Sequence, residues 1–200
     1  MKSFLIGIAG GSGAGKTFIA NKILNKYKKE TLIIEQDSYY KDLSDLELEK
    51  RKIKNFDHPN AIDSKLLHKH IKKLISGQSI NKPIYNFSNH TRRKKTITLK
   101  PHPIIILEGI LIFTFKQILD LFSLKIFIDI QSDIRFIRRL TRDLEQRNRN
   151  SADICKQYLN SVRPMHTKFV EPSKKFSDII IKSENDYNTI FNIIKKNIYF

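Results

Sequence analysis

The 200-residue sequence predicts an α/β fold with a doubly wound, mainly parallel sheet. Apolar runs of strand length alternate with helical patterns, which is typical of chains whose helices connect parallel strands. The strand candidates are also nearly continuous in Ile, Leu, Val and Phe, as expected of strands covered on both faces. These candidates are Phe4–Ala9, Thr31–Glu35, Ile104–Leu107, Lys125–Ile130 and Asp178–Ile181.

Helical periodicity predicts the elements that follow or connect these strands. Ser64–Ser76 has the clearest end signal, because Gly77 follows it directly. The other helix candidates are Thr17–Lys28, Ser132–Glu145, an arm near Asp153–Ser161, and Asp186–Ile198. Between Ile80 and Leu99, two short segments predict a small β-hairpin inserted beside the sheet. No repeat or linker divides the chain, so we expect one domain over residues 1–200.

Composition limits the class of protein. The only cysteine, Cys155, excludes an internal disulfide and a Cys-based zinc site. The sequence shows neither an apolar run of membrane-spanning length nor a signal peptide, so we expect a cytoplasmic protein without a membrane partner. The formal charge of +17 is compatible with nucleic acid or with phosphorylated small molecules as partners. Lysine, isoleucine and asparagine are abundant throughout, which favours a general compositional bias over a selected basic patch.

A glycine-rich loop follows the first predicted strand and satisfies the P-loop pattern G-x-x-x-x-G-K-[ST]. Its backbone N–H groups can close around phosphate oxygens, and the next helix directs its positive end at the same charge. Lysine at the seventh position is expected to reach the β- and γ-phosphates, and the following threonine to bind Mg²⁺. The loop is Gly10-Gly11-Ser12-Gly13-Ala14-Gly15-Lys16-Thr17. A guanine-reading Asn-Lys-x-Asp segment is missing from the sequence, which weakens the alternative of a switch GTPase.

Two acidic residues follow predicted strands, at the edge where open α/β sheets bind ligands. Asp37 is placed to accept a proton from an attacking hydroxyl, although Asp after a strand is also a common helix N-cap. Glu108 ends a buried-type strand and is a candidate magnesium ligand; a surface acid at a turn is the alternative. These residues, with the P-loop, predict phosphate transfer from ATP or GTP.

The predicted helix Ser132–Glu145 is rich in arginine. Its apolar residues at 134, 137, 140 and 144 share one face, and its arginines project from the opposite arc. Guanidinium groups suit phosphate clamping, so we interpret the helix as an arginine-rich lid. A solvated basic face and an RNA-binding helix are the alternatives, the latter without a recognised RNA-binding motif. The arginines are Arg135, Arg138, Arg139 and Arg142, followed by Arg147 and Arg149.

From the P-loop to about Ile181, the chain resembles the bacterial uridine/cytidine kinases, P-loop kinases related to phosphoribulokinase. The P-loop alone fits many families, whereas two segments are much more specific: Asn55-Phe56-Asp57-His58-Pro59, and Tyr85-Asn86-Phe87 followed by His90. Other matching segments are Gln36-Asp37-Ser38-Tyr39-Tyr40, Ile106-Leu107-Glu108-Gly109, Val162-Arg163-Pro164-Met165-His166 and Phe169-Val170-Glu171-Pro172-Ser173-Lys174.

The resemblance implies a role for each matching residue. Asp37 would be the base for the nucleoside 5′-hydroxyl, and Asp57 with Arg139 would bind the ribose hydroxyls. Tyr85 and His90 would read the pyrimidine edge, with Phe87 packing against the base. Arg149 and Gln157 would contact the nucleoside, and Arg142 and Arg147 the phosphates. Without the resemblance, Asp57 could start a turn, and Tyr85 and Phe87 could be core residues.

The resemblance thus implies a Mg²⁺-dependent uridine and cytidine kinase that uses ATP or GTP and forms a homo-oligomer, with tetramers among its relatives. Asn86 and Asn148 depart from the family pattern, which usually has Asp and Gly there. Two alternatives stay open: a related kinase of another small alcohol such as ribulose phosphate, and a basic nucleic-acid-binding NTPase.

Overall fold

The computed structural model describes residues 3–147, 149–183 and 186–198. Within these residues, five parallel strands form a sheet in the order β2-β5-β1-β6-β7, with β1 paired to β5 on one side and β6 on the other. The strands are β1 (Phe4–Gly10), β2 (Thr31–Glu35), β5 (Ile104–Glu108), β6 (Leu124–Ile128) and β7 (Ile179–Ile181). The predicted fold class is confirmed.

The longer helices connect or follow these strands. They are α1 (Lys16–Lys26), α3 (Ser64–Ile75), α5 (Ser132–Arg147), α6 (Ser151–Gln157) and α9 (Tyr187–Ile198). Shorter ones are α2 (Leu48–Lys52), α4 (Lys116–Leu119), α7 (Arg163–Met165) and α8 (Glu171–Ser173). The inserted hairpin is also present, formed by β3 (Ile80–Asn86) and β4 (Thr91–Leu99).

Apolar side chains cover both faces of the sheet. Leu5 and Ile6 are adjacent in β1, yet they point to opposite faces and belong to different core clusters. One cluster joins the sheet to α3 and to β3, and the other joins it to α1 and α9. This two-sided burial explains why the strands read as continuous apolar runs. None of the helices in the described part of the chain has the length and apolarity needed to cross a bilayer.

The orientation of α5 is the reverse of an ordinary amphipathic helix. Arg135, Arg139 and Asp143 are buried, whereas Ile134 and Ile137 are exposed, Ile137 by 57%. The predicted division into an apolar face and an arginine face is present, but the charged face is the one that packs against the protein. The alternative of a solvated basic face is therefore wrong for Arg135 and Arg139.

A helical run extends from Ser151 to Phe176, well beyond the predicted end near Ser161. Pro164 and Pro172 lie within it and cannot donate a backbone hydrogen bond. Their rings would crowd the carbonyls four residues earlier, at Asn160 and Lys168. Both carbonyls lie in π-helical turns, Tyr158–Val162 and His166–Val170, which accommodate the prolines without ending the helix.

Candidate functional site

The P-loop joins β1 to α1 and packs closely against α5. Gly10, Gly13 and Gly15 have φ values of 144°, 80° and 95°, which glycine adopts at no steric cost. A Cβ atom at Gly13 would lie 2.2 Å from the Arg135 carbonyl oxygen, and one at Gly11 would lie 2.2 Å from Arg135 Nη1. Glycine at these positions therefore lets α5 pack closely against the loop. It also lets the loop backbone curve around phosphate oxygens.

The predicted phosphate and metal residues lie together at the carboxyl ends of β1 and β5. Lys16 Nζ donates to the Gly11 carbonyl at 3.1 Å, and Thr17 Oγ1 donates to Glu108 Oε1 at 3.0 Å. Burial lowers the pKa of the Lys16 ammonium, although Glu108 and Asp37 raise it. Burial also raises the pKa of Glu108, although the charge of Lys16 lowers it. Glu108 is therefore a buried acid, not the surface acid of the alternative interpretation.

Oxygen ligands of this kind suit Mg²⁺, which commonly uses one or two protein oxygens together with substrate phosphates. Thr17 Oγ1 and the Glu108 carboxylate already lie within hydrogen-bonding distance of each other. The described residues contain no cluster of three or more His, Cys, Asp or Glu side chains that could hold a metal alone. The arrangement thus fits a magnesium ion that arrives with its nucleotide.

Asp37 lies in a 3₁₀ helix, Gln36–Tyr39, directly after β2. The N-cap of that helix is Glu35, and its side chain makes no capping hydrogen bond, so Asp37 is not the N-cap. Burial raises the pKa of Tyr40, as do the charges of Asp37 and Asp57 and a hydrogen bond to Asp37. Asp37 also raises the pKa values of Lys16 and Glu108. It thus lies between these two residues and the residues predicted to bind the sugar.

Asp57 is buried beside α5 and the long helical run. Ser161 Oγ lies 3.2 Å from Asp57 Oδ2. Burial raises the pKa of Asp57, whereas Arg139 and the Ser161 hydrogen bond lower it. A small cavity adjoins this carboxylate, lined by Ser12, Asp57, Ile110, Val162, His166 and Val170. The structure therefore brings the predicted sugar-binding acid to the P-loop.

One buried carboxylate holds the predicted lid arginines together. Asp143 is 0% exposed, and its closest contact is with Arg142, at 2.7 Å. The side chains of Arg139, Arg147 and Arg149 lie 3.5–3.7 Å from it. Gln157 Oε1 accepts from both Arg139 and Arg149, and Arg139 also donates to Ser12 Oγ of the P-loop at 2.9 Å. Four guanidinium groups against one carboxylate leave a positive cluster suited to phosphate.

Aromatic side chains form a cluster that joins the hairpin to the segment after β2 and includes Phe56, the neighbour of Asp57. The His90 ring stacks on Phe56 at 4.6 Å, and Tyr40 contacts both Phe56 and Tyr85 at 5.2 Å. Phe87 packs edge-on against Tyr85 and is 53% exposed, so it is not a core residue. Burial lowers the pKa of His90, and the charges of Arg51 and Lys52 lower it further.

Two arginines hold the turn that carries His90. Arg51 donates to three backbone carbonyls, those of Ser44, Leu46 and Asn89. Arg92 donates to the carbonyls of Tyr39 and Tyr40 and to Asp63. His90 itself has a φ of 56°, an uncommon value for a residue other than glycine.

The predicted phosphate, metal and ribose residues lie around the P-loop and α5, and Tyr40, which interacts with Asp37, connects them to the aromatic cluster. Sequence reasoning missed several residues of this arrangement. Asp143 was hidden as one of two acids within an arginine run, and Ser161 gave no signal. Phe56 was signalled by its position beside Asp57 in a specific segment. Of the two departures, Asn86 accepts a hydrogen bond from the Ser88 backbone, and Asn148 lies outside the described residues.

A P-loop on a parallel sheet, with a buried acid beside it and an arginine-rich helix packed against it, is the arrangement of a P-loop kinase. Residues 5–190 match the family described as Phosphoribulokinase / Uridine kinase family, and the chain belongs to that family. A curated uridine kinase of Clostridium tetani (strain Massachusetts / E88) is 47% identical over 198 residues, covering 98% of this chain and 95% of the relative. A uridine kinase of Clostridium novyi (strain NT) is 49% identical, covering 90% and 88%.

The fold is also similar to a solved phosphoribulokinase from Rhodobacter spheroides. The TM-score is 0.66 at 16% identity, and the match covers 90% of this chain and 69% of the other. At this identity the similarity concerns the fold alone.

Proposed function

We propose that the protein is a uridine/cytidine kinase, which transfers the γ-phosphate of ATP or GTP to the 5′-hydroxyl of uridine or cytidine. The observation that carries this proposal is the His90 ring stacked on Phe56, next to the buried carboxylate of Asp57, which shares a small cavity with Ser12 of the P-loop. Aromatic rings suit a flat base, the carboxylate suits sugar hydroxyls, and the loop suits a triphosphate. The names of the curated relatives support the same activity.

The proposed reaction assigns a role to the acid, the cations and the metal ligands of the site. Asp37 accepts the proton of the 5′-hydroxyl, whose oxygen forms a bond to the γ-phosphorus while the bond to the β,γ-bridging oxygen breaks. Lys16, Arg142 and Arg147 stabilise the negative charge on the transferred group. Thr17 and Glu108 would hold Mg²⁺, which when bound neutralises charge on the β- and γ-phosphates. Exclusion of water by the arginine-rich lid would favour the nucleoside over hydrolysis.

The surroundings of His90 argue against an acceptor that carries its own phosphate. Such an acceptor needs cations with free donors, whereas Arg51 and Arg92 donate to backbone carbonyls and to Asp63, and Lys52 pairs with Glu49. This observation disfavours ribulose phosphate, which the sequence left open.

The proposal extends to the setting of the enzyme. We propose that residues 1–200 act as one kinase unit, since strands from Phe4 to Ile181 join one sheet. Pyrimidine salvage is the role that the reaction would serve, and the cytoplasm supplies its nucleotide donors. A homo-oligomer, tetrameric as the family resemblance implies, is part of the proposal and is tested by sedimentation.

Release of nucleoside diphosphate from Mg-ATP and Mg-GTP tests the activity. The acceptor panel is uridine, cytidine, adenosine, ribulose 5-phosphate and RNA, with each donor alone as the control. Release with uridine or cytidine only is the expected result. A requirement for ribulose 5-phosphate would move the function to the sister enzymes, and a requirement for RNA would overturn a small-molecule acceptor.

A further inference from the structure

His166 is a site residue that the proposed reaction does not yet use. It begins the second π-helical turn, and its side chain is 15% exposed. It lines the small cavity together with Ser12 and Asp57. π-Helical turns inside longer helices occur frequently at functional sites. His166 is therefore a candidate site residue, and the two nitrogens of its ring differ in their hydrogen bonds.

The hydrogen bonds of Nε2 determine where the imidazole carries its proton. Arg135 Nη2 lies 3.2 Å from Nε2, and a guanidinium group can only donate. Nε2 is then the acceptor, and a neutral ring carries its hydrogen on Nδ1. Burial lowers the pKa of His166 to about 4, with Arg135 acting in the same direction, so the ring is neutral near pH 7.

Glu171 does not reverse this assignment, although its carboxylate lies 3.4 Å from Nε2 and raises the pKa of His166. Lys174 pairs with Glu171 and also with Asp129, at 3.1 Å. The Glu171 carboxylate therefore already has a charged partner in Lys174, while the Arg135 guanidinium, which can only donate to Nε2, packs against Gly11 of the P-loop.

Nδ1 is left as a buried donor without a hydrogen-bond partner among the described residues. A buried N–H group without a partner is costly, so a ligand that supplies an acceptor gains affinity there. The cavity has room for little more than one water-sized group. A hydroxyl oxygen has that size, and it can donate to a carboxylate while accepting from an N–H group.

We propose that His166 Nδ1–H donates to a ribose hydroxyl of the acceptor whose proton is donated to Asp57, so that the pair selects ribonucleosides over the corresponding deoxynucleosides. This inference rests on the proposed nucleoside kinase function and adds a specificity-determining residue to it. Asp57 alone would accept from the hydroxyl, and His166 completes the second hydrogen bond. A deoxynucleoside leaves the His166 Nδ1–H group without an acceptor and removes one donor from Asp57, which keeps its contact with Ser161.

Two amide variants distinguish the role of Nδ1 from the role of Nε2. His166→Asn places an amide near Nδ1 and retains a donor at that position. His166→Gln places its amide near Nε2, so it retains an acceptor for Arg135 but offers no donor at the Nδ1 position. The measurement is kcat/KM for uridine, 2′-deoxyuridine and 3′-deoxyuridine in the wild type and both variants. Nucleoside binding by calorimetry and thermal unfolding show that each variant is folded.

The wild type is expected to favour uridine over at least one deoxynucleoside. His166→Gln should lower that preference roughly 3- to 10-fold, the worth of one neutral hydrogen bond. His166→Asn should keep the preference for uridine within about twofold of the wild-type value. If the preference over 2′-deoxyuridine changes in His166→Gln, the 2′-hydroxyl is the partner; if that over 3′-deoxyuridine changes, it is the 3′-hydroxyl.

Three results would overturn the proposal. Equal losses on all three nucleosides in His166→Gln would give His166 a structural role only. A loss of preference in His166→Asn but not in His166→Gln would assign the effect to Nε2 and Arg135. A wild type that phosphorylates no ribonucleoside would overturn the proposed function and this inference together, whereas the first two results leave the proposed function intact.

Discussion

Asp37 is the residue on which the proposed chemistry depends most. It follows β2 and exerts its charge on Lys16, Glu108 and Tyr40, so it sits between the phosphate residues and the acceptor pocket. Asp37→Asn keeps the size and the polarity but cannot accept a proton. We expect kcat to fall by about 10²- to 10⁴-fold, with uridine affinity changed little.

Single-turnover phosphate transfer and calorimetric binding of uridine measure these two quantities separately. Asp45→Asn, an exposed acid in the loop after β2, is the matched control and should transfer phosphate at the wild-type rate. Wild-type transfer in Asp37→Asn would refute the assignment of Asp37 as the base.

Asp143 is the residue whose loss should cost the most stability. Its carboxylate faces four guanidinium groups in a buried position, and Asp143→Asn would leave them to repel one another. We expect the free energy of unfolding to fall by about 3 kcal/mol or more. Added ATP or sulfate should recover more stability in this variant than in the wild type, because an anion replaces the missing charge.

Thermal unfolding with and without each anion measures this difference. Asp133→Asn, an exposed acid of the same helix, is the control. An Asp143→Asn protein as stable as this control, and no more responsive to anions than the wild type, would contradict the role of Asp143.

His166 should also leave a signature in the pH dependence of stability. Its pKa is about 4 in the folded protein, against an ordinary value of 6.5. Between these values the unfolded chain binds the proton and the folded protein does not, so acidification from pH 6.5 to 4 lowers the free energy of unfolding. His166→Asn removes this group, and other titrating residues cancel in the comparison.

The stability of the wild type relative to His166→Asn should therefore fall below pH 6.5 and stay constant above pH 7.5. Urea unfolding of both proteins from pH 4.5 to 8.5 measures it. A difference that does not vary with pH would mean that His166 titrates normally.

At the scale of elements, the contact between α5 and the P-loop makes Gly13 irreplaceable. Gly13 and Gly77 have similar φ values, 80° and 85°, so alanine would be strained at both. Only at Gly13 would the new Cβ also meet backbone, the Arg135 carbonyl at 2.2 Å. We expect Gly77→Ala to cost about 1 kcal/mol of stability, and Gly13→Ala to cost more and to abolish ATP binding.

Chemical denaturation and nucleotide calorimetry measure the two effects. Equal stability losses with ATP binding intact in both variants would show that α5 does not restrict the loop.

The same contact shows what the sequence could and could not predict. The P-loop and the strands were predictable because both depend on local patterns, glycines at fixed spacing and continuous apolar runs. The burial of Arg135 was not, because helical periodicity identifies two faces but not which one packs. The helix beyond Ser161 was also missed, since Pro164 signals an end unless a π-helical turn relieves its clash.

At the scale of the whole molecule, the net charge of +17 does not mark a nucleic-acid surface by itself. Several of the most basic segments direct their arginines inward. Those of α5 meet Asp143 and the P-loop, and Arg51 and Arg92 hold backbone carbonyls. Because these cations already have partners within the protein, we expect RNA to be inert in the acceptor panel.

The central position of β1 determines when the fold can form during synthesis. β1 leaves the ribosome before the other described strands, yet among them it pairs only with β5 and β6, and β2 pairs with β5. At about 5–20 residues per second, the nascent chain carries two unpaired apolar strands for on the order of ten seconds. Chains stalled before β5 should be digested readily by protease, and chains stalled well beyond Ile128 should resist it. Early protection would mean that the first half of the chain folds alone; without it, these apolar strands stay exposed to aggregation until translation supplies their partners.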